Sequence, residues 1–233
     1  ITSATLDIER FSRFFNNAPI VQIEGRTYPV QTIYQPLLLE DSREALSLSE
    51  GILAAVHSLN SEELGRGRGD ILIFLPTERD IYDVEEVLNK AQLFNTEILL
   101  LFARLSNQAQ QKIFQTSTKR RIILSTNVAE TSVTVPNIYY VIDSGLARLK
   151  RYNSRSKVER LPIEPISQAS ANQRQGRCGR IAPGVCVRLY SREDFLSRPE
   201  FTEPEILRSN LAAVILKMKI LKLGSIENFP FLE

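Results

Sequence analysis

Residues 71–102, ILIFLPTERDIYDVEEVLNKAQLFNTEILLLF, decide how this chain folds. Two apolar runs rich in branched side chains, ILIFL from Ile71 and EILLLF from Glu97, read as short buried strands. Between them Ile81, Val84, Leu88 and Ala91 recur at helical spacing and share one face. The alternation continues downstream: SNQAQQKIFQ reads as a further short helix and RIILS from Arg121 as a third strand. Strand, helix, strand, helix, strand implies a parallel sheet covered by helices. YYVID from Tyr139 and VCVRLY from Val185 supply further buried strands. The fold class is therefore α/β.

Outward from this unit, EALSLSEGILAAVHSL places Leu48, Ile52, Ala55, Val56 and Leu59 on the face of a long amphipathic helix. The Gly/Arg-rich loop GRGRGD joins it to Ile71. Residues 147–163, ARLKRYNSRSKVERLPI, alternate on either side of YNSRSK and read as a β-hairpin with six basic residues and one acid. Exposed hairpins carry Lys and Arg to block edge pairing, but such clustering also suits phosphate contact. Residues 204–222, PEILRSNLAAVILKMKILK, predict one strong helix with Pro204 near its first turn. The final GSIENFPFLE reads as a lead-in to a further domain.

Composition narrows the function. A net charge of +2 on 233 residues does not by itself announce a nucleic-acid binder, so the placement of charge matters more than its total. Cys178 and Cys186 are too few for a disulfide framework and lack zinc-site spacing, which points to a reducing, cytoplasmic setting. No apolar run is long enough to span a bilayer, and no basic-then-apolar leader opens the chain. The opening ITSATLDIERF carries no initiator Met and suggests a piece of something longer. His57 is the single histidine and sits mid-helix, so histidine acid–base chemistry has little support.

In open parallel sheets, ligands sit beyond the carboxyl ends of the strands. After RIIL comes STNVAETSVTV, dense in hydroxyl and amide side chains. It reads either as an ordinary polar loop with a helix cap or as a cradle for a phosphate backbone. SQASANQRQGRCGR, from Ser167, reads as a short helix from about Ser170, with three arginines and two glycines in its last eight residues. At helical spacing Gln173, Arg177 and Arg180 share a face while Arg174 points elsewhere. Gly176 and Gly179 remove side chains beside that face and admit a close-approaching backbone or phosphate. Two guanidinium groups and an amide held together suit the charge that develops on a transferred phosphoryl group.

The ordered set SAT from Ser3, ILIFLPTERDI, LLFARLSNQAQQKIF, STNVAETSVTV, YVIDSGLAR and QRQGRCGR resembles the second half of a DEAH-box superfamily 2 helicase, and NNAPI, ASANQRQGRCGR and RSNLAAVILKMKILKLGSIENFPF look most like the bacterial HrpA-type RNA helicase. The resemblance covers nearly the whole chain. It implies a RecA-like parallel sheet of the P-loop NTPase superfamily, flanked by helices, with a protruding β-hairpin. Residues 1–35 would be the end of a first RecA-like domain and a linker, 36–200 the second RecA-like domain, and 201–233 the start of a winged-helix domain. No G-x-x-x-x-G-K-[ST] loop and no DEAH box occur here, so ATP with Mg²⁺, or another NTP, would be held mainly by the first lobe. This chain alone is then expected not to turn over ATP.

Residue by residue, the resemblance implies that Gln173 faces the γ-phosphate and the attacking water, with Arg177 and Arg180 as arginine fingers. Phe114 would stack on adenine, although an apolar position beside Ile113 reads equally as core. Thr134 would lie near the ribose, and Pro136 replaces an acid common in relatives. Asn127 and Thr131 would hold RNA phosphates, Ser132 would relay nucleotide state, and Thr77 and Arg104 would touch the backbone again. Asp143 would brace the polar loop or cap a turn. The hairpin, with Lys150, Arg151, Arg155 and Lys157, would flank the channel of a single-stranded RNA or of a duplex with an overhang. Two functions remain open: the motor half of an ATP-dependent RNA helicase, or a non-catalytic nucleic-acid-binding or regulatory module of the same fold. The remaining partners would be the first RecA-like domain and C-terminal domains of the same chain, with no membrane.

Overall fold

A computed structural model of the chain describes residues 8–21, 28–38, 45–60, 69–153 and 157–229. In chain order these form α1 (Ile8–Phe14), β1 (Val30–Tyr34), α2 (Leu48–Asn60), β2 (Asp70–Phe74), α3 (Glu78–Lys90), β3 (Thr96–Leu101) and α4 (Asn107–Gln111). A 3-10 turn at Lys112–Phe114 leads to β4 (Arg120–Ser125), α5 (Val128–Thr131), β5 (Ile138–Asp143), β6 (Leu146–Arg148) and β7 (Arg151–Asn153). Then follow β8 (Val158–Arg160), β9 (Ile163–Pro165), α6 (Gln168–Gln175), β10 (Gly184–Arg188), α7 (Arg192–Ser197), α8 (Glu205–Arg208) and α9 (Leu211–Ile220).

Six strands make one parallel sheet in the order β1-β10-β5-β2-β4-β3, the RecA-like arrangement expected from the sequence. Side chains alternate between its faces. Ile71 and Ile73 of β2, Ile122 and Leu124 of β4, and Val185 and Val187 of β10 join one core with Ile52, Val56 and Leu59 of α2 and Ile81, Val84 and Leu88 of α3. Leu72, Phe74, Ile123, Val141 and Cys186 join the other, with Ile113 and Ala129. Burial on both faces explains why these strands read as continuous apolar runs.

The helix ends follow from capping chemistry. Thr77 accepts from the amide of Asp80 at 3.1 Å and starts α3, with Glu78 and Asp80 in its first turn and Lys90 in its last. Ser47 and Glu50 form a reciprocal capping box at the start of α2, the Ser47 amide donating to the Glu50 carboxylate at 2.8 Å.

Three details differ from the sequence reading. VQTIY at Val30–Tyr34 adds an edge strand parallel to β10. Its mixed polar pattern hides it in the sequence, and its partner lies some 150 residues downstream. The expected helix over 204–222 divides into α8 and α9, because the Asn210 side chain turns to accept from the amide of Ala212 and starts a new helix. The helix of the arginine-rich segment ends at Gln175, so Arg177 and Arg180 lie beyond it rather than on a shared helical face with Gln173. The hairpin is present as two antiparallel pairs, β6 with β9 and β7 with β8.

Candidate functional site

Strand register lines up one residue from each strand's carboxyl end: Tyr34, Arg188, Asp143, Phe74, Ser125 and Leu101 run across the sheet in that order. Four of the six carry polar atoms, in a layer where polar atoms must be paired. Asp143 meets that need three ways. Its Oδ1 accepts from the Gly145 amide at 2.9 Å and from Arg174 Nη1 at 2.7 Å, and its Oδ2 accepts from the Tyr190 hydroxyl at 2.9 Å. It caps a turn and braces its surroundings at once.

Arg174 is completely buried. Besides Asp143 it donates to the Glu130 carboxylate from Nε at 2.9 Å and to the Leu146 carbonyl at 3.2 Å, and it lies 4.9 Å from the centre of the Phe74 ring. Burial alone would lower its pKa, but the Asp143 and Glu130 carboxylates outweigh burial and raise it. Glu130 is the junction between two segments: its carboxylate also accepts from the Ser170 hydroxyl, and its backbone carbonyl accepts from Arg177 Nη2. The polar loop after β4 is thus tied to α6 and to the turn that follows it.

That turn carries the two outer arginines. Arg177 is half-buried, and its Nε has no hydrogen-bond partner among the described residues. Burial and the neighbouring Arg180 charge lower the Arg177 pKa, against the pull of Glu130. Arg180 is exposed, its Nε donating to the Gly176 carbonyl at 3.1 Å. Two adjacent cations, one with an unused donor, form an arrangement that an anion would complete. Gly179 has φ +74, and a Cβ there would sit 2.5 Å from Val30 and 2.9 Å from the Tyr28 carbonyl, so this glycine admits the edge strand. Gln173 is half-buried in the last turn of α6.

Phe114 is exposed at the end of its 3-10 turn, beside the fully buried Ile113. Neighbours in sequence, the two differ in that Ile113 joins the core and Phe114 does not. Asn127, at the start of α5, and Thr131, Ser132 and Thr134, at its end and just beyond, are all exposed. Thr77 spends its hydroxyl on Asp80 as the α3 cap, and Arg104 is exposed 3.9 Å from the Glu78 carboxylate. In the hairpin, Lys150 pairs with Glu159 at 2.9 Å, and Arg151 bridges Glu164, at 2.9 Å, to Glu203. Part of the hairpin's positive charge is therefore balanced locally. Lys157 is exposed with φ +53, whereas Arg155 lies outside the described residues, as do Ser3 and most of GRGRGD.

Sequence reasoning missed Arg174 and Arg188 as organisers of the site. Arg188 is buried at the end of β10, donating to Asn172 Oδ1 and Gln175 Oε1, each at 2.9 Å, and to the Tyr34 hydroxyl at 3.0 Å. It fixes the end of α6 against the sheet. An arginine inside the apolar run VCVRLY was the available signal, since a buried cation needs partners. Among the described residues no helix is long and apolar enough to cross a membrane.

Residues 54–182 match the family of helicase conserved C-terminal domains. Over all 233 residues the chain is 63% identical to an ATP-dependent RNA helicase HrpA homolog of Haemophilus influenzae, covering 17% of that protein. It is 60% identical to the ATP-dependent RNA helicase HrpA of Escherichia coli, covering 18% of it. The crystal structure of the E. coli DExH-box NTPase HrpB superimposes with a TM-score of 0.85 at 31% identity, over 99% of this chain and 28% of that one. The chain thus spans less than a fifth of these two curated relatives.

Proposed function

This chain belongs to the family of helicase conserved C-terminal domains, and on that premise we propose that it is the second RecA-like lobe of an ATP-dependent DEAH-box RNA helicase. Arg177 and Arg180 act as arginine fingers, and Gln173 faces the γ-phosphate. Phe114 stacks on the base, with Thr134 near the ribose. Asn127, Thr131, Ser132, Thr77 and Arg104 follow the RNA backbone, and the hairpin cations Lys150, Arg151, Arg155 and Lys157 lie beside the strand. Contacts to phosphates rather than base edges make binding independent of sequence. ATP supplies a phosphoanhydride whose cleavage separates the two lobes' bound and unbound states, and its Mg²⁺ and inner phosphates belong to the first lobe. The lobe alone is expected to be inactive in hydrolysis, and its two buried free thiols suit the cytoplasm.

The observation that carries this reading is the Glu130 junction. The same residue accepts Ser170 and Arg174 through its carboxylate and Arg177 through its backbone carbonyl. A nucleotide contact at Arg177 and an RNA contact at Asn127 or Thr131 therefore bear on one short helix. The unused Arg177 Nε and the mutual repulsion of Arg177 and Arg180 fit a triphosphate as the completing anion. The test is RNA-stimulated ATP hydrolysis by the full-length helicase, wild type beside Arg177→Ala and Arg180→Ala. Each variant is expected to lose turnover roughly a thousandfold or more. Turnover within a fewfold of wild type in both would remove the fingers from the mechanism.

A further inference from the structure

At the amino ends of β2 and β4, opposite the row that carries Asp143, lies a second buried ion pair. Arg121 and Asp70 are 5% and 2% exposed. All five N–H donors of the Arg121 guanidinium are used. Nε and Nη2 donate to Asp70 Oδ2 at 2.8 and 2.5 Å, and Nη1 donates to the carbonyls of Ile113 at 2.7 Å and Gln115 at 3.0 Å. Nη2 also reaches the Pro136 carbonyl at 3.4 Å. Asp70 is fixed in turn by the Arg121 amide at 2.9 Å and by Asn137 Nδ2 at 3.1 Å.

The two carbonyls on Nη1 flank Phe114 on either side. The carbonyl of Pro136 lies two residues beyond Thr134, and Val135 between them packs in the same core as Ile113. From these contacts we infer that Arg121 is a positioning residue for nucleotide: a buried fork that holds the base-stacking and ribose-facing segments on one frame. A three-residue 3-10 turn has few internal hydrogen bonds and would leave an exposed aromatic free to reorient. Clamping the carbonyls of the residues before and after Phe114 fixes its direction in advance, so the entropy of ordering it is not lost when the base arrives. Lysine cannot substitute, because three donors on one nitrogen cannot span a carboxylate and three separate carbonyls.

This inference rests on the reading of Phe114 as the base-stacking residue, and the experiment separates the two. In the full-length helicase, KM for ATP and kcat are measured for Phe114→Ala, Arg121→Lys and the double variant, with RNA saturating. Phe114→Ala and Arg121→Lys are each expected to raise KM roughly tenfold, the scale of one base–aromatic stack. Arg121→Lys is expected to leave kcat within about twofold, and the double variant to have the KM of Phe114→Ala alone. A purely structural lesion at Arg121 would instead lower kcat or add its full KM effect in the Phe114→Ala background, which overturns the positioning role. A wild-type KM in Arg121→Lys beside a raised KM in Phe114→Ala also overturns it. An unchanged KM in Phe114→Ala sinks the base-stacking reading and the positioning role with it. If Arg121→Lys does not fold, Asp70→Asn with Arg121→Gln leaves no unpaired buried charge and carries the same expectations.

Discussion

Three arginines in one octad have three different fates. Arg174 is sealed between two carboxylates, Arg177 is half-buried with an unused donor, and Arg180 faces solvent. Removing the first leaves Asp143 and Glu130 uncompensated in a layer where Asp143 has no solvent exposure. Arg174→Ala should therefore destabilise the lobe by about 3–5 kcal/mol in urea denaturation. Arg180→Ala should change stability by less than about 0.5 kcal/mol while abolishing catalysis in the full-length protein. A stability loss at Arg180 equal to that at Arg174 would contradict the distinction. Sequence set Arg174 apart from the other two but could not separate Arg177 from Arg180. The spacing gave Gln173, Arg177 and Arg180 one face only on the assumption of a continuous helix, and the helix stops at Gln175.

At the scale of elements, β1 shows how the turn after α6 shapes the sheet. The Tyr28 amide donates to the Gly179 carbonyl at 2.7 Å, and the Gly184 amide donates to the Pro29 carbonyl at 3.0 Å, so the edge strand is laid against this turn. Gly179→Ala would meet both Val30 and the Tyr28 carbonyl at a positive φ. It should cost about 1–3 kcal/mol and raise amide hydrogen exchange along Val30–Tyr34 before the central strands respond. Uniform exchange across all six strands would count against a local effect. The hairpin base offers a second case, since Arg151 joins Glu164 of β9 to Glu203, and Arg208 reaches the Lys150 carbonyl at 3.4 Å. Those pairs are half-exposed and add little to global stability. Arg151→Gln should leave the melting temperature nearly unchanged yet speed limited proteolysis between residues 150 and 160, and unchanged cleavage would show that the pairs do not hold the hairpin.

For the molecule as a whole, burial locks the acidic protons of Cys178, Cys186 and Tyr190 in the core. Burial pushes the Cys178 thiol up to about 12, and burial raises the Cys186 thiol and the Tyr190 hydroxyl as well, with the Asp143 charge adding to both. Each group stays neutral in the folded state while the unfolded chain can release its proton. Their contribution to stability is present in full below about pH 9 and is lost as pH rises through the folded values. Stability should therefore fall above about pH 9, each freely titrating thiol adding about 1.4 kcal/mol per pH unit to the slope. Urea titrations of wild type and of Cys178→Ala with Cys186→Ala would check this, since the double variant should have the flatter profile. The same burial predicts that neither thiol reacts with an alkylating reagent at neutral pH until the lobe unfolds.

The parallel sheet, the helices on its faces and the position of the polar loop after β4 were legible because local periodicity dictates them: a strand buried on both sides must be apolar throughout, and a covering helix must be apolar on one stripe. The polar loop and the arginine octad stood out as residues just outside that pattern, whereas Phe114, Asn127 and Thr131 were singled out within their segments only by the family resemblance. What only the tertiary structure decided was which polar residues pair with which. Glu130 with Arg174, Asp143 with Tyr190 and Asp70 with Arg121 are 44, 47 and 51 positions apart, and Arg188 meets Tyr34 across 154. Such pairs form because strands distant in sequence are brought side by side, and a buried charge in that layer must take its partner from whatever the fold delivers.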